Sequence, residues 1–507
     1  NDESDDDDDF IHPNRKHLRN RIISDMIRNK TEIEKLSKLE ELRLTAEKST
    51  KYSFLWFKTL LQMELVDNKY NSKTNRSISI TFSKVMLEEG TSRTLILQHP
   101  NRYIPLYMEE LSNIPLTLHL GRTIKVISIE VINVQSYTIR AKFKSKAELQ
   151  DIDLNLVDEA EINAQNPVFL LEEHKKSFLS LKFEDDFNMC ENLCQNIDFI
   201  FGPPGTGKTT HLVQNVIIPL MLQNEQDKLK LLVLTPTNKS ADVVVKRIIE
   251  CMKDDFSYKN WLVRFGTESD EMIEAVNVHR EKSFNINKLN KCVTITTIHR
   301  FPYDSFNPEE EKQKLLLKDI DWDYIIFDEA SMIPLINIIY PLYKQTPKKF
   351  IVAGDPFQIQ PITTADLWMN ENIYTLVDLN SFTEPKTRPH QYTVNLLTTQ
   401  YRSVPSVGNI YSKFAYGGIL NHNRSEESRK KLNIDEFINL SPLNFIKFPV
   451  SNFESIYQPK KLQNKSSYHV YCALFVFEFI QFLSQKLVTK NKNEKFTIGV
   501  IAAYRAQ

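Results

Sequence analysis

Gly202-Pro203-Pro204-Gly205-Thr206-Gly207-Lys208-Thr209-Thr210 follows the apolar run Ile197–Phe201 and precedes the helix-like stretch His211–Leu222. A strand, a glycine-rich turn and a helix form the context that a P-loop requires. The glycines let the backbone curl so that successive N–H groups face one anion-sized cavity, and the helix adds its positive end. Lys208 is placed to reach the β- and γ-phosphates of a nucleotide, and the Thr209 hydroxyl to take a position on Mg²⁺. The chain holds only 11 glycines in 507 residues, and three stand in this stretch, so chance explains it poorly.

Further apolar runs lie downstream at Leu231–Thr235, Val293–Thr297, Tyr324–Phe327 and Phe350–Ala353, separated by helix-length segments. Such alternation predicts an α/β fold with a parallel, doubly wound sheet. Tyr324–Phe327 leads into Asp328-Glu329-Ala330-Ser331. Asp328 is placed to hold the Mg²⁺ shell, and Glu329 to orient and deprotonate an attacking water. A strand that simply ends in an acidic helix cap is the plainer reading of the same string. The P-loop and these carboxylates stand at carboxyl ends of parallel strands, where such sheets bind ligands.

Upstream the pattern changes. Residues 1–30 read as a disordered tail, with seven acidic residues at positions 2–9. Residues 31–185 read as a helical stalk carrying a small β-barrel: helical spacing from Thr31 to Glu64, a period of two between Ser77 and Lys146, and a second helical patch over Glu159–Leu181. Residues 186–385 form the first α/β domain. Residues 386–507 form a second and incomplete one, with strands at Asn444–Val450 and Thr497–Ile501 around a helix over Tyr468–Leu487. The chain opens on Asn1 rather than Met, which reads as a fragment or a processed form.

Hydrophobic content of 41% and charged content of 25% are those of a globular protein, and no run is long enough to span a membrane. Five scattered cysteines read as reduced thiols, which implies an intracellular, cytoplasmic location, or a nuclear one in a eukaryote. Cys190 and Cys194 lie four apart, but no second Cys/His pair stands nearby to complete a zinc site.

Three more strings complete an ordered set: Gly354-Asp355-Pro356-Phe357-Gln358-Ile359-Gln360-Pro361, Gln400-Tyr401-Arg402, and Ile498-Gly499-Val500-Ile501-Ala502-Ala503-Tyr504-Arg505-Ala506-Gln507. With the P-loop and the Asp-Glu-Ala-Ser string, they resemble superfamily-1 helicases of the 5′→3′ branch typified by the nonsense-mediated-decay RNA helicase. The resemblance covers about residues 30–507. It implies two RecA-like P-loop NTPase domains, with ATP in the cleft between them and a single nucleic-acid strand, DNA or RNA, across their top.

By position, the resemblance implies that Gln358 senses the γ-phosphate, that Arg402 acts as an arginine finger and that Tyr401 packs near the adenine. It also implies that Thr235-Pro236-Thr237-Asn238 and Thr296-Thr297 touch the strand's phosphates. The barrel's basic string Arg140–Lys146, with Phe143 inside it, suits contact with a charged backbone. The family's Asn-x-x-Gln string has no well-spaced counterpart, which leaves Gln195 as the adenine-reading residue. The family's later strings, including a second arginine finger, would lie beyond Gln507. The expected function is an ATP- and Mg²⁺-dependent helicase or translocase that moves 5′→3′ on single-stranded nucleic acid, coupling hydrolysis to strand movement or duplex unwinding. The alternative is an ATP-gated clamp or ribonucleoprotein remodeller. A metabolite kinase leaves Gln358 and Arg402 unexplained.

Overall fold

The computed structural model describes residues 32–71, 77–143, 152–188, 193–223, 227–358, 371–379, 393–447, 458–490 and 498–502, with Trp368, less short stretches inside those spans. The acidic run, Cys190, Cys194 and residues 144–146 lie outside the described residues. Contacts divide the chain into two compact units, Asn1–Leu397 and Thr398–Gln507.

In the first unit, period-two segments build an antiparallel barrel. Ser77–Phe82 (β1) and Lys84–Leu87 (β2) are one strand bent at Ser83. The other strands are Thr94–Gln98 (β3), Ile114–Leu120 (β4), Thr123–Gln135 (β5), Thr138–Phe143 (β6) and Glu159–Gln165 (β7). The order β1-β7-β4-β5-β6-β3-β2 starts and finishes on the two halves of the bent strand, which closes the sheet on itself. Ile80, Phe82, Leu116, Leu118, Ile129, Val131 and Ile139 fill its interior. A register shift between Val131 and Asn133 marks a bulge in β5.

Two expectations change here. Glu159–Gln165 is a strand, not a helix: Ala160 and Ile162 are buried while Glu159 and Asn163 are exposed, a period of two. The helix of that patch is Val168–Leu179. In the basic string, Phe143 is buried in the barrel, and Arg140 forms a bidentate pair with Glu88 at 2.7 and 2.8 Å. Both are committed to the barrel rather than offered to a strand.

The stalk comprises helices 32–48 (α1), Phe54–Asn71 (α2) and Val168–Leu179 (α3). Aromatic rings fix it to the α/β part. Phe178 lies 4.9 Å from Phe54 and 5.3 Å from Tyr343, and Phe57 lies 5.9 Å from Tyr343 between ring centres. Each such pair is worth about 0.5–1.5 kcal/mol beyond the area it buries. Trp368 Nε1 donates to the buried Glu64 carboxylate at 2.9 Å.

The α/β sheet is parallel throughout. Its strands are Ile197–Phe201 (β8), Leu229–Thr235 (β9), Leu262–Phe265 (β10), His279–Arg280 (β11), Lys291–Thr297 (β12), Tyr324–Phe327 (β15), Lys349–Gly354 (β16) and Thr393–Leu396 (β17); Ser305–Phe306 (β13) and Leu315–Leu316 (β14) form a separate hairpin. The order is β11-β10-β12-β9-β15-β16-β8-β17. All five expected strands are present. Three more, β10, β11 and β17, join them, and β17 pairs with the P-loop strand β8. The expected division after residue 385 falls outside the described residues.

In the second unit, Thr399–Gln400 (β18) pairs in parallel with Asn421–His422 (β19) beside the Pro405–Ala415 helix. A long helix covers Val470–Lys490, as the apolar run predicts. The described parts of the two expected strands, 444–447 and 498–501, are irregular. Among the described residues, no helix is long and apolar enough to cross a membrane.

His174 of α3 is buried with its ring 5.7 Å from that of Tyr340. Burial, with His299 nearby, pushes its pKa down to about 4 from 6.5. The folded state therefore excludes the charged ring, so a penalty sets in as the pH falls below 6.5 and is complete below about 4. At 1.36 kcal/mol per unit, this amounts to about 2 kcal/mol by pH 5. The stability difference between wild type and His174→Leu should shift in the variant's favour by that amount between pH 7 and 5, read from denaturant melts.

Candidate active site at the strand ends

The P-loop takes its shape from residues that permit no substitute. Gly205 and Gly207 have φ of 77° and 78°, in the left-handed region where side chains are strained. At Gly202 a Cβ would lie 2.1 Å from Lys208 Cγ and 2.8 Å from Thr206 Oγ1. Thr206 Oγ1 donates to the Pro203 carbonyl at 2.8 Å, and His211 N–H to Gly207 at 2.8 Å, so the turn runs directly into the helix that starts at Lys208.

Two carboxylates converge on this turn from β15. Lys208 Nζ lies 3.5 Å from Glu329 Oε1, and Thr209 Oγ1 donates to Asp328 Oδ2 at 3.3 Å. Asp328 is 1% exposed. Burial, and then the adjacent Glu329, push its carboxyl up to about 7, partly offset by Lys208. Glu329 adopts φ 50° and ψ 41°, a left-handed backbone that costs a non-glycine residue about 1–3 kcal/mol. Its N–H donates to Asp328 Oδ1 at 3.0 Å, and the two side chains diverge into different tasks. A hydroxyl and a carboxylate meeting beside a lysine are hard oxygen donors of the kind that Mg²⁺ takes, next to a phosphate-sized nest.

The third strand end belongs to β16, between the other two. Gly202 N–H donates to the Gly354 carbonyl at 3.2 Å. A Cβ at Gly354 would sit 2.4 Å from the Tyr374 hydroxyl and 3.2 Å from Ala330 N, so glycine lets the Asp-Glu-Ala-Ser turn close against β16. Asp355 is fully buried and accepts from Gln358 Nε2 at 2.9 Å and from Phe357 N–H at 3.1 Å. Gln358 is thus held, half-buried, beside the carboxylates.

Several expected residues lie elsewhere. Gln195 is exposed and stands two residues before β8, at the amino end of the strand whose carboxyl end leads into the P-loop. Thr235, Pro236, Asn238, Thr296 and Thr297 have buried side chains. Thr235 Oγ1 donates to the Thr237 carbonyl at 2.9 Å, and Asn238 Oδ1 accepts from Arg264 at 3.1 Å. These side chains are turned inward where buried strands end. Thr237, half-buried, caps the Asn238–Met252 helix through Ser240 N–H, and Lys239 beside it is exposed.

In the second unit, Tyr401 and Arg402 are exposed. Gln400, fully buried, organises their loop: its Oε1 accepts from Arg402 and Ser403 N–H at 3.0 and 2.8 Å, and its Nε2 donates to the Ser403 carbonyl at 2.6 Å. Motif order singled out the string, but only the structure separates the supporting glutamine from the presented pair. Arg264, the buried partner of Asn238, had no signal in the sequence beyond an arginine amid apolar residues.

Two family models match, each described as an AAA domain, over residues 189–364 and 379–507. A protein named "Probable RNA helicase armi" from Drosophila melanogaster is 26% identical over 297 residues, 51% of this chain and 24% of its own length. "RecBCD enzyme subunit RecD" of Buchnera aphidicola subsp. Schizaphis graminum (strain Sg) is 33% identical over 181 residues, 34% of this chain and 25% of its own. "DNA polymerase alpha-associated DNA helicase A" of Saccharomyces cerevisiae (strain ATCC 204508 / S288c) is 23% identical over 413 residues, 69% of this chain and 58% of its own. The chain thus spans about a quarter of the first two relatives and under two thirds of the third. The chain carries two AAA domains in tandem and is similar along them to proteins named as helicases.

Gly202→Ala tests the cradle alone. Its Cβ must displace Lys208, so nucleotide affinity should fall at least about tenfold, or about 1.4 kcal/mol, without a matching loss of melting temperature. Titration with a fluorescent nucleotide reads this directly, and unchanged affinity would contradict the geometry.

Proposed function

We propose that the chain carries the motor of an ATP-dependent helicase or translocase that moves 5′→3′ along single-stranded nucleic acid. The observation that supports this most is the convergence of Lys208 and Thr209 with Glu329 and Asp328, with Gln358 on the intervening strand end. In this reading the P-loop N–H groups and Lys208 hold the β- and γ-phosphates, and Thr209 with Asp328 hold Mg²⁺. Bound there, Mg²⁺ would neutralise phosphate charge. Glu329 orients and deprotonates the attacking water, and Gln358 senses the terminal phosphate. Arg402, presented by the Gln400-ordered loop, is the arginine finger, and Tyr401 packs near the adenine. The strand is gripped by Thr237, Lys239 and loop backbone N–H groups, contacts that ignore sequence.

Steady-state ATPase of the full-length protein, with single-stranded RNA and DNA titrated in turn, tests this. Turnover should rise at least about tenfold with one polymer or both, and Glu329→Gln should lower it by about 10²-fold or more. Hydrolysis indifferent to either polymer would overturn the reading and return a P-loop enzyme with another substrate. Stimulated turnover without displacement of a block on the strand would favour the ATP-gated clamp.

A further inference from the structure

Arg264 stands in β10, where every residue of Leu262–Phe265 is buried, and is itself 0% exposed. A buried guanidinium persists only when its charge and donors are satisfied. Here Nε donates to Asp242 Oδ1 at 2.7 Å, and Nη1 to the Phe265 and Ile295 carbonyls at 2.6 and 3.5 Å. Nη2 donates to Asn238 Oδ1 at 3.1 Å and the Asn238 carbonyl at 3.5 Å. The acceptors come from three elements: the first turns of the Asn238–Met252 helix, the end of β10, and β12 just before Thr296.

Gly266 crosses beside this group with φ 116°, and a Cβ there would lie 3.1 Å from Arg264 Nη1 and 3.4 Å from Arg300 Cδ. Arg300, 3% exposed and paired with Asp304 at 2.8 Å, holds the turn after β12 from the other side. The start of the helix after β9 and strand β12, two residues before its end, are thereby tied to one another through one planar fork.

We infer that Arg264 is the positioning residue that sets the spacing of the two strand-gripping loops, an inference that rests on the proposed function. The threonines at both strand ends are buried, so the grip depends on where Thr237, Lys239 and the loop backbones are held. Arg264 fixes that through Asn238 on one side and Ile295 on the other. Lysine offers three donors from one point and cannot span these acceptors.

The test is kinetic, in the full-length protein, using a homopyrimidine strand of whichever polymer stimulates the wild type. For Arg264→Lys, the half-saturating strand concentration should rise at least about tenfold while that for ATP moves less than about twofold. Gly266→Ala, which pushes on the same guanidinium from outside, should show the same split more weakly and serves if Arg264→Lys does not fold. A fall in kcat alone, or equal rises for strand and ATP, would make Arg264 a fold-supporting residue and overturn the inference. A wild type that ignores every strand would overturn the functional reading, whereas a responsive wild type matched by both variants would overturn this inference alone.

Discussion

The structure depends on the order in which three parallel strands lie side by side. β15, β16 and β8 are neighbours, roughly 4.8 Å apart, so their carboxyl ends deliver Asp328 and Glu329, then Asp355 and Gln358, then the P-loop, in one row. The three strand ends are far apart in sequence: Thr209 and Asp328 are 119 residues apart yet share a hydrogen bond. The apolar cores above and below the sheet hold that row, and the site inherits their rigidity. Glycines at 202 and 354 let neighbouring turns approach more closely than any side chain permits.

Buried polar groups then divide the labour between holding and acting. Asp355 holds Gln358, Gln400 holds the loop of Tyr401 and Arg402, and Arg264 ties the start of the Asn238–Met252 helix to β12. In each case the holder is fully buried and hydrogen-bonded, as the cost of an unsatisfied buried polar group demands. The presented side chains are left half-buried or exposed. The proposed motor would need this separation, since a group that must change partners in a cycle cannot also fix the scaffold.

Much of this was legible in the sequence where a motif and a strand coincide. Gly202–Thr210 after Ile197–Phe201 and Asp328-Glu329 after Tyr324–Phe327 declared both ends of the phosphate site, and alternation declared the barrel. Short strands escaped: Leu262–Phe265 has four residues, and Thr393–Leu396 follows no helix-length signal that marks it as part of the first sheet. Glu159–Gln165 read as helix because acidic and alanine residues favour helices, but pairing with β1 and β4 overrode that preference. Thr235, Thr296 and Thr297 have the right chemistry for phosphate, but their burial at strand ends cannot be read from residue type. Arg264 is the converse, a charged residue whose burial only tertiary structure reveals.

The proposed coupling of nucleotide to strand through one row of strand ends is tested most directly by equilibrium. Affinity for a labelled single strand should be measured in three states of the full-length protein: without nucleotide, with Mg²⁺-ADP, and with Mg²⁺ and a non-hydrolysable ATP analogue. A shared scaffold predicts that the analogue and ADP states differ by at least about tenfold, a coupling of about 1.4 kcal/mol. Equal affinity in all three states would contradict it.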